Sequence, residues 1–379
     1  MRIPEIDGLR AIAMTMVIAQ HCGLLPFGWT GVWLFFVISG YVITRGFMAG
    51  AVGEGAGQRF ADFMGRRALR IVPVYLLYVA VNVAILWRID GPQRLGDVPY
   101  LLSFTYNWHM IFGFWPGSSA WPAFGHLWTL SVEQQFYLLF PLIALFVLPR
   151  AQIAVTAALV CAGPLVRWLW SDALLRTQGG DPGSLAFGVY ASSLCHFDAF
   201  LIGSLVARLE PRLRASPRAA NTLWWAALLA AAAYAGVYVA INHQLGARGV
   251  EALRNVFSGI LCGQHREVFA YAVVDALAAA TLVHALLRQR GSRLLAWPPL
   301  AWVGRVSYGG YLFHTLVLWS AGQLLHAKLK ELPLEAKLLL FAAVWAVTVA
   351  LASASFLWFE QALARRWRSA PARAMAAAA

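Results

Sequence analysis

The sequence predicts an all-α fold: a polytopic integral membrane protein with about ten transmembrane helices and both termini in the cytoplasm. Three observations carry this. Of 379 residues, 60% are hydrophobic and only 12% charged, with a mean hydropathy of +0.63; a soluble domain carries about 25% charged residues. The apolar residues fall into spans of roughly 17 to 25 residues, the length a helix needs to cross hydrocarbon. Lys and Arg alternate between successive connecting segments, as the positive-inside rule requires.

The expected spans are 9–25, 31–48, 70–88, 126–148, 151–170, 190–208, 221–241, 268–288, 299–322 and 337–359. The first is a poor cleaved signal peptide, because Glu5 and Asp7 occupy its n-region and no small-residue cleavage site follows. The sixth is the weakest, since Cys195-His196-Phe197-Asp198 interrupts its apolar character. Two connections exceed a simple turn. Residues 89–125 are rich in aromatics, Gly and Pro, which suits either an interfacial aromatic belt or a stretch dipping back into the protein as a ligand platform. Residues 49–69 begin Gly-rich and end F-A-D-F-M-G-R-R-A-L-R, suiting a short amphipathic helix on the cytoplasmic face. No polar linker separates domains, so 1–365 reads as one membrane domain and 366–379 as a short basic, Ala-rich cytoplasmic tail.

With the N-terminus inside, roughly two thirds of the 30 Lys and Arg fall on cytoplasmic segments, including Arg45, Arg66, Arg67, Arg70, Arg208 and Arg212. The net charge of +13 is then explained by topology and by contact with anionic lipid, and nucleic acid drops out as a partner. Four cysteines without paired spacing suggest neither a disulfide framework nor a zinc site, and no metal is expected. The setting is a multi-pass protein of the inner (cytoplasmic) membrane, and the Arg- and Ala-rich usage points to a bacterial source.

Ionisable groups inside membrane helices are costly and mark pathways or reaction sites. The first helix carries Asp7 and Arg10 at one end and His21 near the other. Helical rise puts His21 about 6 Å from the outer end and Glu133 roughly 10 Å below the outer surface. A carboxylate beside an imidazole would fix its tautomer, as a general base requires; the blander reading satisfies each group separately by backbone or water. His196 and Asp198 also fall in the outer part. Arg66, Arg67 and Arg70 sit at the mouth of the third helix, with Arg10 about 16 Å below His21. Such a group suits bidentate recognition of phosphate, or else is a positive-inside anchor.

Other residues carry weaker readings. Ser39-Gly40 lies in an apolar helix with no nucleophile elbow, so close helix packing is expected. His314 is expected to hydrogen-bond a neighbouring helix, and His284 to be structural or interfacial. Asp275 is an intramembrane acid with no identified partner. Trp108 and Trp128 suit stacking on a sugar, or interfacial anchoring.

Six segments together resemble the acyltransferase 3 family of membrane enzymes that O-acylate carbohydrates and other extracytoplasmic molecules. Arg10 and His21 match the family's arginine, ten residues, histidine signature; G-V-W-L-F-F-V-I-S-G-Y-V-I-T (31–44) its second-helix motif; R-R-A-L-R-I-V-P (66–73) its basic motif; and H-L-W-T-L-S-V-E-Q-Q-F-Y-L-L-F-P (126–141) its glutamate motif. F-D-A-F-L-I-G-S-L-V-A (197–207) and G-R-V-S-Y-G-G-Y-L-F-H-T (304–315) also look like family segments. The set is ordered and spans nearly the whole chain. Trp33 stands where many members have aspartate, and Gln134 where a second glutamate is common, so no acid role falls to either. The last span ends at 359, so the C-terminal hydrolase-like domain of some relatives is expected to be absent.

The resemblance implies a membrane-bound O-acyltransferase. Cytoplasmic acyl-CoA, acetyl-CoA foremost, would be held by Arg67 and Arg70 with Arg66 and Arg10. His21 would act as general base on an acceptor hydroxyl or carry the acyl group, and Glu133 would orient or charge-stabilise the imidazole. Trp128, His196 and Asp198 would face the carbohydrate or glycolipid acceptor. The rival class is a proton-coupled secondary transporter of a glycolipid or acylated metabolite, against which stands the lack of an internal repeat with paired broken helices.

Overall fold

The computed structural model describes residues 3–49, 55–114, 121–177, 181–254, 256, 258–260, 262–289, 291–363 and 365. Within these residues the chain is helical, with no strand. Twelve helices have eight or more residues: α1 (Pro4–His21), α2 (Thr30–Met48), α3 (Ala56–Asp90), α4 (Trp128–Phe146), α5 (Gln152–Thr177), α6 (Pro182–Tyr190), α7 (Phe197–Ala215), α8 (Pro217–Gln244), α9 (Arg266–Leu286), α10 (Pro298–Arg305), α11 (Ser307–Leu325) and α12 (Leu334–Ala354). Each expected span overlaps a helix, although residues 191–196 of the sixth form a turn and a short 3-10 segment ahead of α7. The proposed tail, 366–379, lies outside the described residues.

Seven helices among the described residues are long and apolar enough to cross a membrane: α2, α3, α4, α5, α8, α9 and α12. The other three expected spans correspond to α1, α7 and α11. Their polar residues fail a hydropathy test for a physical reason: the buried side chains of Glu5, Asp7, Asp198 and His314 face protein instead of lipid. Only 11% of the apolar stretch of α8 is buried, against 67% for α2, so α8 lies at the rim while α2 joins the polar helices α1, α7 and α11 in the interior.

Three elements differ from expectation. The amphipathic stretch ahead of the third span is not a separate surface helix but the first turns of α3, a 35-residue helix that runs through Pro73. Membrane helices tolerate such a proline where neighbours satisfy the freed backbone groups. The ninth span is broken at Val306 into α10 and α11. Part of the aromatic connection folds back inside: Trp121 is buried and donates to Asn82 Oδ1 at 2.8 Å, while Ala123 O accepts from Tyr78 at 2.6 Å.

The interior helices meet through glycines. A Cβ on Gly40 of α2 would lie 1.8 Å from the Phe200 carbonyl oxygen, and one on Gly203 of α7 would lie 1.9 Å from that of Val37. The two backbones therefore touch reciprocally, the small-residue packing that drives helix association in lipid. The obstacle is backbone, so Gly40→Ala should destabilise the fold by about 1–3 kcal/mol, read as earlier thermal unfolding in detergent. Unchanged melting would show that the seam can spread freely.

Candidate active site

Where α1 begins, a cavity of about 850 Å³ opens between α1, α2, α3 and α10, lined by Arg10, Arg45, Arg66, Arg67, Arg70 and Arg305. The four arginines singled out from the sequence are thus together. On α3, Arg67 and Arg70 are three residues apart and share a face, with Arg66 flanking them. Arg305 was missed as a site residue, although it lies in the G-R-V-S-Y segment. Asp7 and Glu360 are the acids on the lining. Arg45 is committed to Tyr41, whose hydroxyl it meets at 2.7 Å, and to Glu210 at 3.7 Å. Among the described residues none of Arg10, Arg66, Arg67, Arg70 and Arg305 forms an ion pair, and the Arg10 Nε is buried with no hydrogen-bond partner. Guanidinium groups outnumber the two lining carboxylates in this partly apolar cavity, an arrangement with the chemistry to bind an anion.

His21 is the last residue of α1, and the chain turns there because Gly23 adopts a left-handed φ of 75°. Its Nδ1 lies 2.9 Å from Nε2 of His314, with the two rings stacked at 5.0 Å. His314 is fully buried on α11, and its Nδ1 is 2.5 Å from the Tyr311 carbonyl. The His126 ring stands edge-on to His314 at 5.0 Å. The expectation that His314 hydrogen-bonds a neighbouring helix is met, and the neighbour is the first helix itself. His21 lies eleven positions after Arg10, close to three full turns, so both fall on one face of α1 about 16 Å apart. On α11 Tyr308 lines the cavity, and Tyr311 and His314 follow at three-residue steps towards His21.

Glu133 occupies the middle ground. Its Oε1 accepts from Ser39 Oγ at 2.7 Å and from Tyr137 at 2.5 Å. Its charge reaches Arg10 and Arg67, and the Arg67 guanidinium sits 5.8 Å from the centre of the Tyr137 ring. The expected carboxylate beside the His21 Nδ1 is therefore replaced by a second imidazole, while Glu133 is turned to α2 and the arginines. Gly40 packs as expected, but Ser39 also holds the carboxylate.

Trp128, His196 and Asp198 lie in the buried interior. His196 donates from Nε2 to the carbonyls of Val189 and Tyr190, at 3.1 and 2.9 Å, and packs edge-on against Trp33 and Tyr271. Trp33, in the aspartate position, stacks on Tyr271 at 5.2 Å; Trp128 joins the cluster through Tyr190 at 4.9 Å. Asp198 is paired with Arg167 at 2.6 Å, and the two are 5% and 0% exposed. Arg167 was missed, although an arginine in P-L-V-R-W-L-W is itself an intramembrane charge. His284 packs on Trp224 at 5.4 Å.

An acyltransferase domain model matches residues 3–358. The chain belongs to the acyltransferase 3 family. Among curated members of the family, YrhL of Bacillus subtilis, described as a candidate peptidoglycan O-acetyltransferase, is 28% identical over 343 residues, covering 83% of this chain and 48% of its own length. The peptidoglycan O-acetyltransferase OatA of Listeria monocytogenes is 27% identical over 343 residues, with 82% and 49% covered. BcsY of Komagataeibacter xylinus, described as a candidate membrane-bound transacylase, is 30% identical over 251 residues, with 63% and 59% covered. The chain thus spans about half the length of the first two relatives. No solved structure matches it.

Proposed function

We propose that the protein is a membrane-bound O-acetyltransferase of the bacterial inner membrane. It takes the acetyl group of cytoplasmic acetyl-CoA to a hydroxyl of an extracytoplasmic or lipid-linked carbohydrate. The observation that carries this reading is the alignment of two sites on α1: an arginine cavity around Arg10 and an exposed histidine three turns away. Arg10, Arg66, Arg67 and Arg70, joined by Arg305, hold the donor's phosphates, and the pantetheine arm follows the Tyr308–Tyr311–His314 face of α11. His21 takes the proton of the acceptor hydroxyl as its oxygen forms the new bond to the acetyl carbon. The carbon–sulfur bond breaks and the thiolate receives the proton. Glu133 balances the positive charge between the two sites. The relatives described as peptidoglycan O-acetyltransferases support a glycan acceptor.

Purified protein given labelled acetyl-CoA should release thiol only when a glycan acceptor is added, whereas tracer movement into liposomes without thiol release would favour a transporter. Arg67→Ala and Arg70→Ala should each weaken coenzyme A binding about 10- to 100-fold, the worth of one or two charge-assisted hydrogen bonds. Titration calorimetry checks this, and unchanged affinity would misplace the donor.

A further inference from the structure

We propose that His314 is a positioning residue that fixes the tautomer of His21, so that His21 presents an unprotonated Nε2 to the acceptor hydroxyl. This rests on the reading of His21 as the base, and it follows from a proton count. The Tyr311 carbonyl can only accept, so at 2.5 Å the His314 Nδ1 must carry a proton. A neutral imidazole has one such proton, which leaves His314 Nε2 as an acceptor. Among the described residues the group that meets it, at 2.9 Å, is Nδ1 of His21, which must then carry a proton and donate it. In the neutral form that a base requires, His21 then carries its lone pair on Nε2, and whatever meets that atom must donate to it.

The groups around His314 keep it neutral. From the short 3-10 turn Gly125–Leu127 ahead of α4 comes His126, whose Nε2 lies 3.1 Å from the Leu312 carbonyl and whose Nδ1 lies 3.0 Å from Thr315 Oγ1. Tyr78 of α3 gives its proton to the Ala123 carbonyl at 2.6 Å, and Thr315, 3.3 Å from that carbonyl, is nearer to His126 Nδ1 and can give its proton there. With that donation His126 is also neutral, with both nitrogens occupied. Tyr311 carries its hydroxyl to Thr129 at 2.8 Å. Glu133, whose charge reaches Tyr311, is bonded to Ser39 and Tyr137. An imidazolium at His314 would be a buried charge with no carboxylate bonded to it, which is costly.

The dyad works as a directional holder. When the acceptor proton reaches Nε2, the resulting imidazolium keeps Nδ1–H on His314, so the ring does not turn while the proton waits for the thiolate. A carboxylate in that place would raise the basicity of His21; a neutral imidazole orients it without that effect. His314 thus does for His21 what an outer-shell partner does for a metal-bound histidine, a contact whose loss costs 10- to 100-fold.

Three variants and one spectrum test this. His314→Ala should lower kcat about 10- to 100-fold while the KM for acetyl-CoA moves less than about twofold. His314→Gln, whose amide oxygen can accept from Nδ1–H, should recover most of that loss. Nitrogen-15 spectra of histidine-labelled protein in nanodiscs should show His21 protonated at Nδ1 in the wild type and shifted towards Nε2–H in His314→Ala. An Nε2–H signal for wild-type His21, or an unchanged kcat in a His314→Ala protein that still binds coenzyme A, overturns the proposal. If His314→Ala does not fold, the wild-type spectrum decides. His21→Ala separates the two levels: transfer retained there would sink the base, whereas transfer lost there but kept in His314→Ala would sink only the tautomer.

Discussion

His21→Ala is expected to lower acceptor-dependent acetyl transfer by about 10²- to 10⁴-fold, the worth of a positioned general base, while leaving coenzyme A affinity within about twofold. The two quantities separate because the residues that serve them do. His21 ends α1 at an exposed position, and the arginines line a cavity at the other end of the same helix. Removing the imidazole frees His314 Nε2 but touches no guanidinium, so the donor should still raise the melting temperature of the variant in detergent. Acetyl transfer within tenfold of wild type in a protein that binds coenzyme A would rule out His21 as the base. Loss of donor binding along with transfer would instead mean that α1 does not hold its two ends independently.

How much of this was legible in the sequence depends on how local each feature is. Apolar spans register one element at a time, so the helices could be found before their packing was known. The boundaries that moved are those where interior contacts override hydropathy: α1 begins at Pro4 because Glu5 and Asp7 are buried against neighbouring helices, and the ninth span breaks at Val306 where Gly304 brings α10 onto the backbone of α1. Arg66, Arg67 and Arg70 could be grouped from spacing alone, since one stretch of helix carries them all. The His21–His314 contact joins residues 293 positions apart and depends on α11 lying beside α1, with Met14 filling the space over Gly310. Helical rise supplies depth but not azimuth. Rise alone therefore sets Glu133 near the depth of His21, whereas its carboxylate faces Ser39 and the arginines. Asp198 and His196 show the same limit, since their position along a helix does not reveal whether they line a path or close a core.

Asp198 is where that last ambiguity becomes measurable. Arg167 binds three partners at once: Nε donates to the Val268 carbonyl at 3.0 Å, and Nη1 to the Cys195 carbonyl at 2.8 Å and to Asp198 Oδ2 at 2.6 Å. One guanidinium therefore ties α5 to α7 and to α9. Asp275 lies within electrostatic reach of the pair, and both of its oxygens are buried without a hydrogen-bond partner among the described residues. Arg167→Ala would strand the Asp198 carboxylate beside a second acid, with no other cation paired to it among the described residues, so the loss should reach about 3–5 kcal/mol, the cost of breaking a buried pair from one side. In detergent this should appear as protein that aggregates or melts far below wild type. Arg167→Leu combined with Asp198→Leu should recover much of the loss, because replacing both partners by apolar groups removes the stranded charge. A residue that held the acceptor would behave in the opposite way, with Asp198→Asn raising the acceptor KM at unchanged stability. The space at Asp198 argues against that outcome: its Oδ2 lies 2.0 Å from where a Cβ on Gly163 would stand, so the carboxylate fills a gap that α5 leaves for it.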